Sequence, residues 1–286
     1  QTASVVTYLA TVLAEREAEL SPKLKSRIRT AIGDGVEALD DVLGEDGLPE
    51  PCQNAWENMI GRFVHTAATF LQAYATVAAV TVDSELSAHA EAQADAVLDG
   101  LDLLWDDNYE VYALRLQDGK RDSRLDSGSF ALVEAFAAYD DLTGLPARDR
   151  SRLETHVRTA LDDLYRESAD GDVVGLVRFE GDSWRTGEQD AEKVWSVATA
   201  WGATAATQLA SLLESSGDDA AAEEFLERAA ELYELLQPDG PFCTNAGYLA
   251  EQVFDDGTLD SAAPLGWAHA LRLRGTGLLN EHDALP

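Results

Sequence analysis

The sequence predicts an all-α chain arranged as a closed toroid of helical hairpins. Apolar residues recur at i, i+3/i+4 and i+7 almost throughout, while strand-like signals are confined to "VYALRLQDG" and "VVGLVRFEG". The architecture follows from what the pattern lacks. Successive helices of this length stack as a solenoid or close as a toroid, and no recurring unit of solenoid length is found. In a toroid, apolar inner helices such as "AEKVWSVATAWGATAATQLASLL" line the barrel. Amphipathic outer ones such as "DDAAAEEFLERAAELYELL" sheath it, and loops at one end carry the site.

Taken in order, Val5, Val6, Leu9, Val12 and Leu13 write the first helix. Ser21-Pro22 reads as an N-cap followed by proline at the first helical position. It opens a second helix through Ile28, Ile32, Val36, Leu39 and Leu43, stopped by Gly44 and the loop "GEDGLPEP". Further helices are expected at roughly 57–80, 84–105, 129–142, 148–167, 190–214, 218–236 and 264–275. Residues 1–286 read as a single domain.

Composition excludes several functions. Fifty-three acidic against twenty-one basic residues give a net charge of -32, and only four of the basic residues are lysines. Such a field repels nucleic acid and anionic lipid, so neither is an expected partner. Disorder is excluded because 45% hydrophobic residues, well interspersed, suffice for a core. The remaining reading is adaptation to high salt, as in a haloarchaeal-type protein, where counterions screen acidic self-repulsion. It predicts that the helical circular dichroism signal and melting temperature fall as salt drops from molar to about 0.1 M, where the Debye length reaches roughly 10 Å. An unchanged spectrum and melting temperature in dilute buffer contradict it. No uninterrupted apolar run is long enough to span a membrane, so a soluble protein is expected; Gln1 is no initiator Met, so the start of the sequence says nothing about compartment, and a cytoplasmic location is the working expectation. Cys52 and Cys243 are too few for a disulfide scaffold and read as buried thiols, although a bridge between their loops stays open. Asp106, Asp107, Asp122 and Asp126 read as solvated charge. No metal cluster has credible ligand spacing, and no cofactor is implied.

Two glutamates stand apart. Glu57 follows Trp56 in "PCQNAWENMIGRFVHT", and Glu251 lies ahead of Trp267 and His269 in "GYLAEQVFDDGTLDSAAPLGWAHALRL". An indole stacks on a pyranose face while two carboxyl groups act as general acid and general base. A lone glutamate in so acidic a chain is normally surface or cap; for Glu57 the neighbouring Trp56, together with the motifs that follow, reverses that balance.

The segments "AWENMIGRFVHTAA", "GLVRFEGDSW", "EKVWSVATAWGATAA" and "GYLAEQVFDDG…APLGWAHAL", in this order and separation, resemble glycoside hydrolase family 15, the glucoamylase group. The resemblance implies a six-hairpin (α/α)6 toroid and an exo-acting, inverting hydrolase of α-glucosidic bonds in starch- or glycogen-like glucans. It matches Glu57 to the general acid and Glu251 to the general base. Arg178-Phe179 match the family's Arg-aromatic pair, whose arginine forks onto glucose hydroxyls, and Trp184, Trp195 and Trp267 match aromatic positions. Trp195 could equally be core packing, and His269 a structural histidine. An inverting site also requires Glu57 and Glu251 to face each other across a cavity, about 6.5–9.5 Å apart.

Two departures matter. Asn58 stands where many relatives carry a second acid, which leaves substrate preference open between α-glucans and a trehalose- or dextran-like substrate. The family's upstream helices and Trp-Pro-Arg-Asp type loop are absent, and "QTASVVTYLATVL" resembles the middle of the family domain. The resemblance therefore implies the C-terminal portion of a catalytic toroid, with about nine of twelve helices. An upstream segment of the same gene product becomes an expected partner, and the chain alone a poor catalyst. A non-catalytic glucan-binding or regulatory toroid of the same ancestry is the competing expectation.

Overall fold

A computed structural model describes residues 1–53, 55–81, 83–187 and 189–286. Among them the α-helices are α1 (Thr2–Arg16), α2 (Pro22–Asp40), α3 (Val64–Val80), α4 (Ser84–Gly100), α5 (Ala131–Thr143), α6 (Ala147–Asp163), α7 (Ser196–Ser216), α8 (Asp219–Glu234) and α9 (Gly266–Glu281). Short strands decorate the connections: β1 (Cys52–Gln53), β2 (Ile60–Phe63), β3 (Trp105–Asp106), β4 (Val111–Tyr112), β5 (Arg115–Gln117), β6 (Lys120–Asp122), β7 (Tyr165–Glu167), β8 (Val174–Leu176), β9 (Val194–Trp195), β10 (Gln252–Val253) and β11 (Leu259–Asp260). The chain divides into two compact units, Gln1–Ser123 with Ala131–Leu153, and Arg124–Phe130 with Glu154–Pro286. No helix is long and apolar enough to cross a membrane among the described residues.

In the first unit, α3 is apolar on nearly every side and buries Val64, Phe70, Leu71, Tyr74 and Val77 against α1, α4 and α5. Helix α1 turns Val6, Ala10 and Leu13 inward and leaves Val5 outside. Ser21 caps α2 by accepting from the Leu24 amide, with Pro22 at the first turn as its sequence signals. The Leu48 side chain fills the core beneath the loop after α2. That loop lies on the end of α4 so closely that a Cβ on Gly47, at φ +80, would fall 1.9 Å from the Ala96 carbonyl oxygen, so only glycine fits. A four-stranded sheet in the order β1-β2-β5-β6 borders this unit.

The second unit is built on α7, buried almost all round and packed between α8 and α9. Gly202 lets β8 lie close on α7: a Cβ there would meet Leu176 at 2.5 Å. Asp218 caps the amphipathic α8, which buries Phe225, Ala229 and Leu232. A three-stranded antiparallel sheet, β11-β10-β9, feeds directly into α7.

Three expectations need correction. The helix expected at 57–80 begins only at Val64, because Ile60–Phe63 pairs with both β1 and β5. The helix expected from 190 begins at Ser196, because Val194 and Trp195 join β10. In both places strand pairing with distant segments overrides local helical spacing, and these two- to four-residue strands are too short to show alternation. The four aspartates are not simply solvated. Asp106 accepts from Ser123 Oγ at 2.5 Å and the Asn108 amide at 2.9 Å, Asp107 from Trp105 Nε1, and Asp126 from the Gly128 amide, while Asp122 pairs with Arg115. Asp106 and Asp126 close turns whose backbone amides need an acceptor, whereas Asp107, still exposed, and Asp122 hold side chains.

His156 on α6 is fully buried, its Nε2 2.8 Å from Ser129 Oγ, whose own proton goes to the Asp126 carbonyl. The ring therefore donates from Nε2 and stays neutral, its pKa pushed by burial from 6.5 down to about 3. Below pH 6.5 the unfolded chain binds a proton that the folded chain refuses, so acidification destabilises the fold, by up to about 1.4 kcal/mol per pH unit. Burial also pushes the His65 pKa down to about 4, so both rings contribute; denaturation midpoints in molar salt between pH 6.5 and 5 should show the slope, and His156→Gln should reduce it to the His65 part. An equal slope in the variant would exclude His156 as its source.

Candidate active site

The first unit presents Glu57 on the loop between β1 and β2. Cys52 pairs with Gly61 and Gln53 with Ile60, so residues 55–59 lie at the tip of a hairpin. Gln53 Nε2 donates to the Glu57 carbonyl at 2.8 Å, and Glu57 itself has φ 58, a left-handed conformation unusual for a residue with a Cβ. Such strain persists only where the surroundings impose it. The Glu57 carboxylate is exposed and no other described residue engages it, with half-buried Trp56 beside it in the loop. Cys52, at the base of the hairpin, is a free thiol against Thr66 Oγ1.

The second unit gathers four of the sequence-predicted residues. Arg178 and Phe179, each 4% exposed, lie in the loop after β8. The Arg178 guanidinium sits 4.5 Å from the Trp195 ring, 4.9 Å from Phe179 and 5.8 Å from Trp184. Trp184 and Trp195 are tilted against each other at 5.8 Å. Arg178 directs Nε and Nη2 at the two oxygens of Asp182, at 2.8 and 2.6 Å, and both partners are buried. This forked pair fixes the plane of the guanidinium, so the cation is held rigidly among the rings. Trp195 is buried, whereas Trp184 keeps 39% exposure, so Trp184 is the ring of this pair that meets solvent.

Glu251 occupies the residue before β10. Its amide donates to the Ala262 carbonyl, its own carbonyl accepts from the Ser196 amide, and Ser196 Oγ donates to Ala250 O. The backbone is thus clamped from both sides at the mouth of α7, while no described residue holds the half-buried carboxylate. Trp267 opens α9, 42% exposed, and packs on Trp201 at 5.5 Å rather than on the arginine cluster. His269 Nε2 accepts from the Leu249 amide at 3.1 Å, which fixes its tautomer and gives it a structural task. Cys243 is a free thiol near the Leu236 carbonyl.

Sequence reasoning missed Asp182, Lys193, Gln252 and Asp260. Asp182 follows Arg178 by four residues, a readable spacing in a loop. Lys193 and Asp260 bond at 2.7 Å across 67 residues, which no local pattern signals. Gln252 is fully buried beside them in β10.

No family profile matches the sequence, and no curated protein matches it. Solved structures do. The glucoamylase of Saccharomycopsis fibuligera superposes with a TM-score of 0.71 at 13% identity, covering 100% of this chain and 70% of that one. The family 15 glucoamylase of Hypocrea jecorina gives 0.66 at 15% identity, over 100% of this chain and 51% of that one. A D-mannose isomerase gives 0.69 at 14% identity, over 98% and 70%. The chain has the all-α, α/α-toroid fold of these enzymes. At such identity the likeness establishes fold, and the activity has to be argued from the site.

Proposed function

We propose that the protein is an inverting, exo-acting hydrolase of α-glucosidic bonds, of the glucoamylase type, with Glu57 as general acid and Glu251 as general base. The observation that supports it most is how the two glutamates are held. Each has a backbone fixed by hydrogen bonds, and each keeps a carboxylate that no described residue engages. A capping or ion-paired glutamate would show the opposite. In the proposed reaction the acid protonates the glycosidic oxygen while the base removes a proton from the attacking water. Arg178 and the exposed faces of Trp184, Trp56 and Trp267 orient the sugar, and Phe179 and Trp195 support the arginine from within.

The D-mannose isomerase in the same fold makes a second chemistry worth weighing. Moving a proton between neighbouring carbons calls for groups that titrate near neutrality, most often histidine. In the second unit, His156 is buried and held neutral, His269 is committed to a backbone amide, and His282 is engaged by Ser211 and Glu214 at the end of α9, whereas the Glu251 carboxyl group is held by no described residue. That balance favours hydrolysis.

The test is release of glucose in molar salt by the full-length gene product, assayed on maltooligosaccharides, trehalose and dextran, with mannose-to-fructose conversion as the control. Glucose from the maltooligosaccharides is the expected result. Trehalose or dextran as the sole substrate would keep the chemistry and change the linkage. Release from none of the three would favour the non-catalytic toroid.

A further inference from the structure

Lys193 is one of four lysines in the chain, and its side chain is 1% exposed whereas the other three lie at or near the surface. Burying an ammonium is unfavourable unless it is strongly paired, so its position calls for a cause. Its Nζ bonds Asp260 at 2.7 Å and lies 4.4 Å from the centre of the Phe254 ring and 5.7 Å from that of Trp184. We propose that Lys193, acting through Asp260, is a positioning residue for Glu251; the inference rests on the base role assigned above.

The strand register shows how. Gln252 lies directly opposite Trp195 on β9 and directly opposite Asp260 on β11, so these three side chains share one face of the sheet. Lys193, two residues before Trp195, and Phe254, two after Gln252, fall on the same face. The ion pair therefore bridges the two outer strands over the central one. Those outer strands also hold Glu251: Ser196, just after β9, donates to its carbonyl, and Ala262, just after β11, accepts from its amide. Locking β9 to β11 fixes both hydrogen bonds together.

Backbone conformation supplies an independent sign. Ser261, between Asp260 and Ala262, has φ 68, and Arg185, which also reaches Asp260 at 3.4 Å, has φ 52. Residues with a Cβ stay in this region only where their surroundings hold them, and Asp260 is the group common to both. With Lys193 removed, the turn at Ser261 is free to relax, and the Ala262 carbonyl that aims Glu251 moves with it.

The experiment compares Lys193→Met, Asp260→Asn and the double variant with the parent protein on maltotriose in molar salt, with Glu251→Gln as control. Lys193→Met should lower kcat by about tenfold or more with KM within about threefold, and should displace the acid limb of the pH profile, which reports ionisation of the base. The double variant leaves no unpaired buried charge, so its melting temperature should recover while kcat does not. Recovery of both would overturn the proposal in favour of a purely structural pair. A parent-like kcat and pH profile in Lys193→Met would also overturn it, provided Glu251→Gln is inactive. Parent-like turnover in Glu251→Gln would instead overturn the base assignment, and the proposal with it.

Discussion

Glu57→Gln and Glu251→Gln are each expected to lower turnover of maltooligosaccharides by about 10²–10⁴-fold, the range that positioned general acids and bases contribute. Both side chains are free of structural bonds among the described residues, so the melting temperature should stay close to that of the parent. Because one carboxyl must be protonated and the other ionised, activity should follow a bell-shaped pH profile. Each variant should lose one limb of that bell. Parent-like turnover in either variant would remove that residue from the mechanism, whereas loss of activity together with unfolding would assign it a structural role.

The largest expected effect on stability lies at Arg178 and Asp182. Asp182→Ala strips the counter-ion from a guanidinium that is 4% exposed and leaves its charge buried, which costs about 3–5 kcal/mol. For a chain of this size, at roughly 2–4 °C per kcal/mol, the melting temperature should fall on the order of 10 °C. Replacing both residues together, as Arg178→Met with Asp182→Ala, removes the buried charge along with its carboxylate fork and should restore much of that loss while turnover of maltooligosaccharides stays impaired. Thermal denaturation of the single and double variants in molar salt measures both. Equal melting temperatures in the single variant and the parent would mean that water reaches the guanidinium.

What the sequence made legible was governed by local periodicity. The apolar run that became α7, the Ser21-Pro22 start of α2 and the amphipathic α8 are all written in residues adjacent along a helix. Phe179, Trp184 and Trp195 were singled out only through the family resemblance; that their rings gather around Arg178 is a feature of the fold. Long-range pairing was not legible. Glu57 falls on a hairpin because Cys52 meets Gly61, and the helical spacing that follows disguises the strand. The lock between Lys193 and Asp260 joins segments 67 residues apart, each unremarkable on its own. Asp106 and Asp126, read as solvated charge, show the same limit, since acid-rich composition conceals which carboxylates close turns.

The central claim, that two carboxyl groups perform a single displacement at an α-glucosidic carbon, is tested most directly by the configuration of the product. Proton NMR of a maltooligosaccharide digest, read within the first minutes before mutarotation, resolves the anomeric signals of released glucose. Attack by water from the face opposite the leaving group predicts that β-glucose appears first and α-glucose follows by mutarotation. Initial release of α-glucose would require a covalent intermediate and a double displacement, and would contradict the roles given to Glu57 and Glu251.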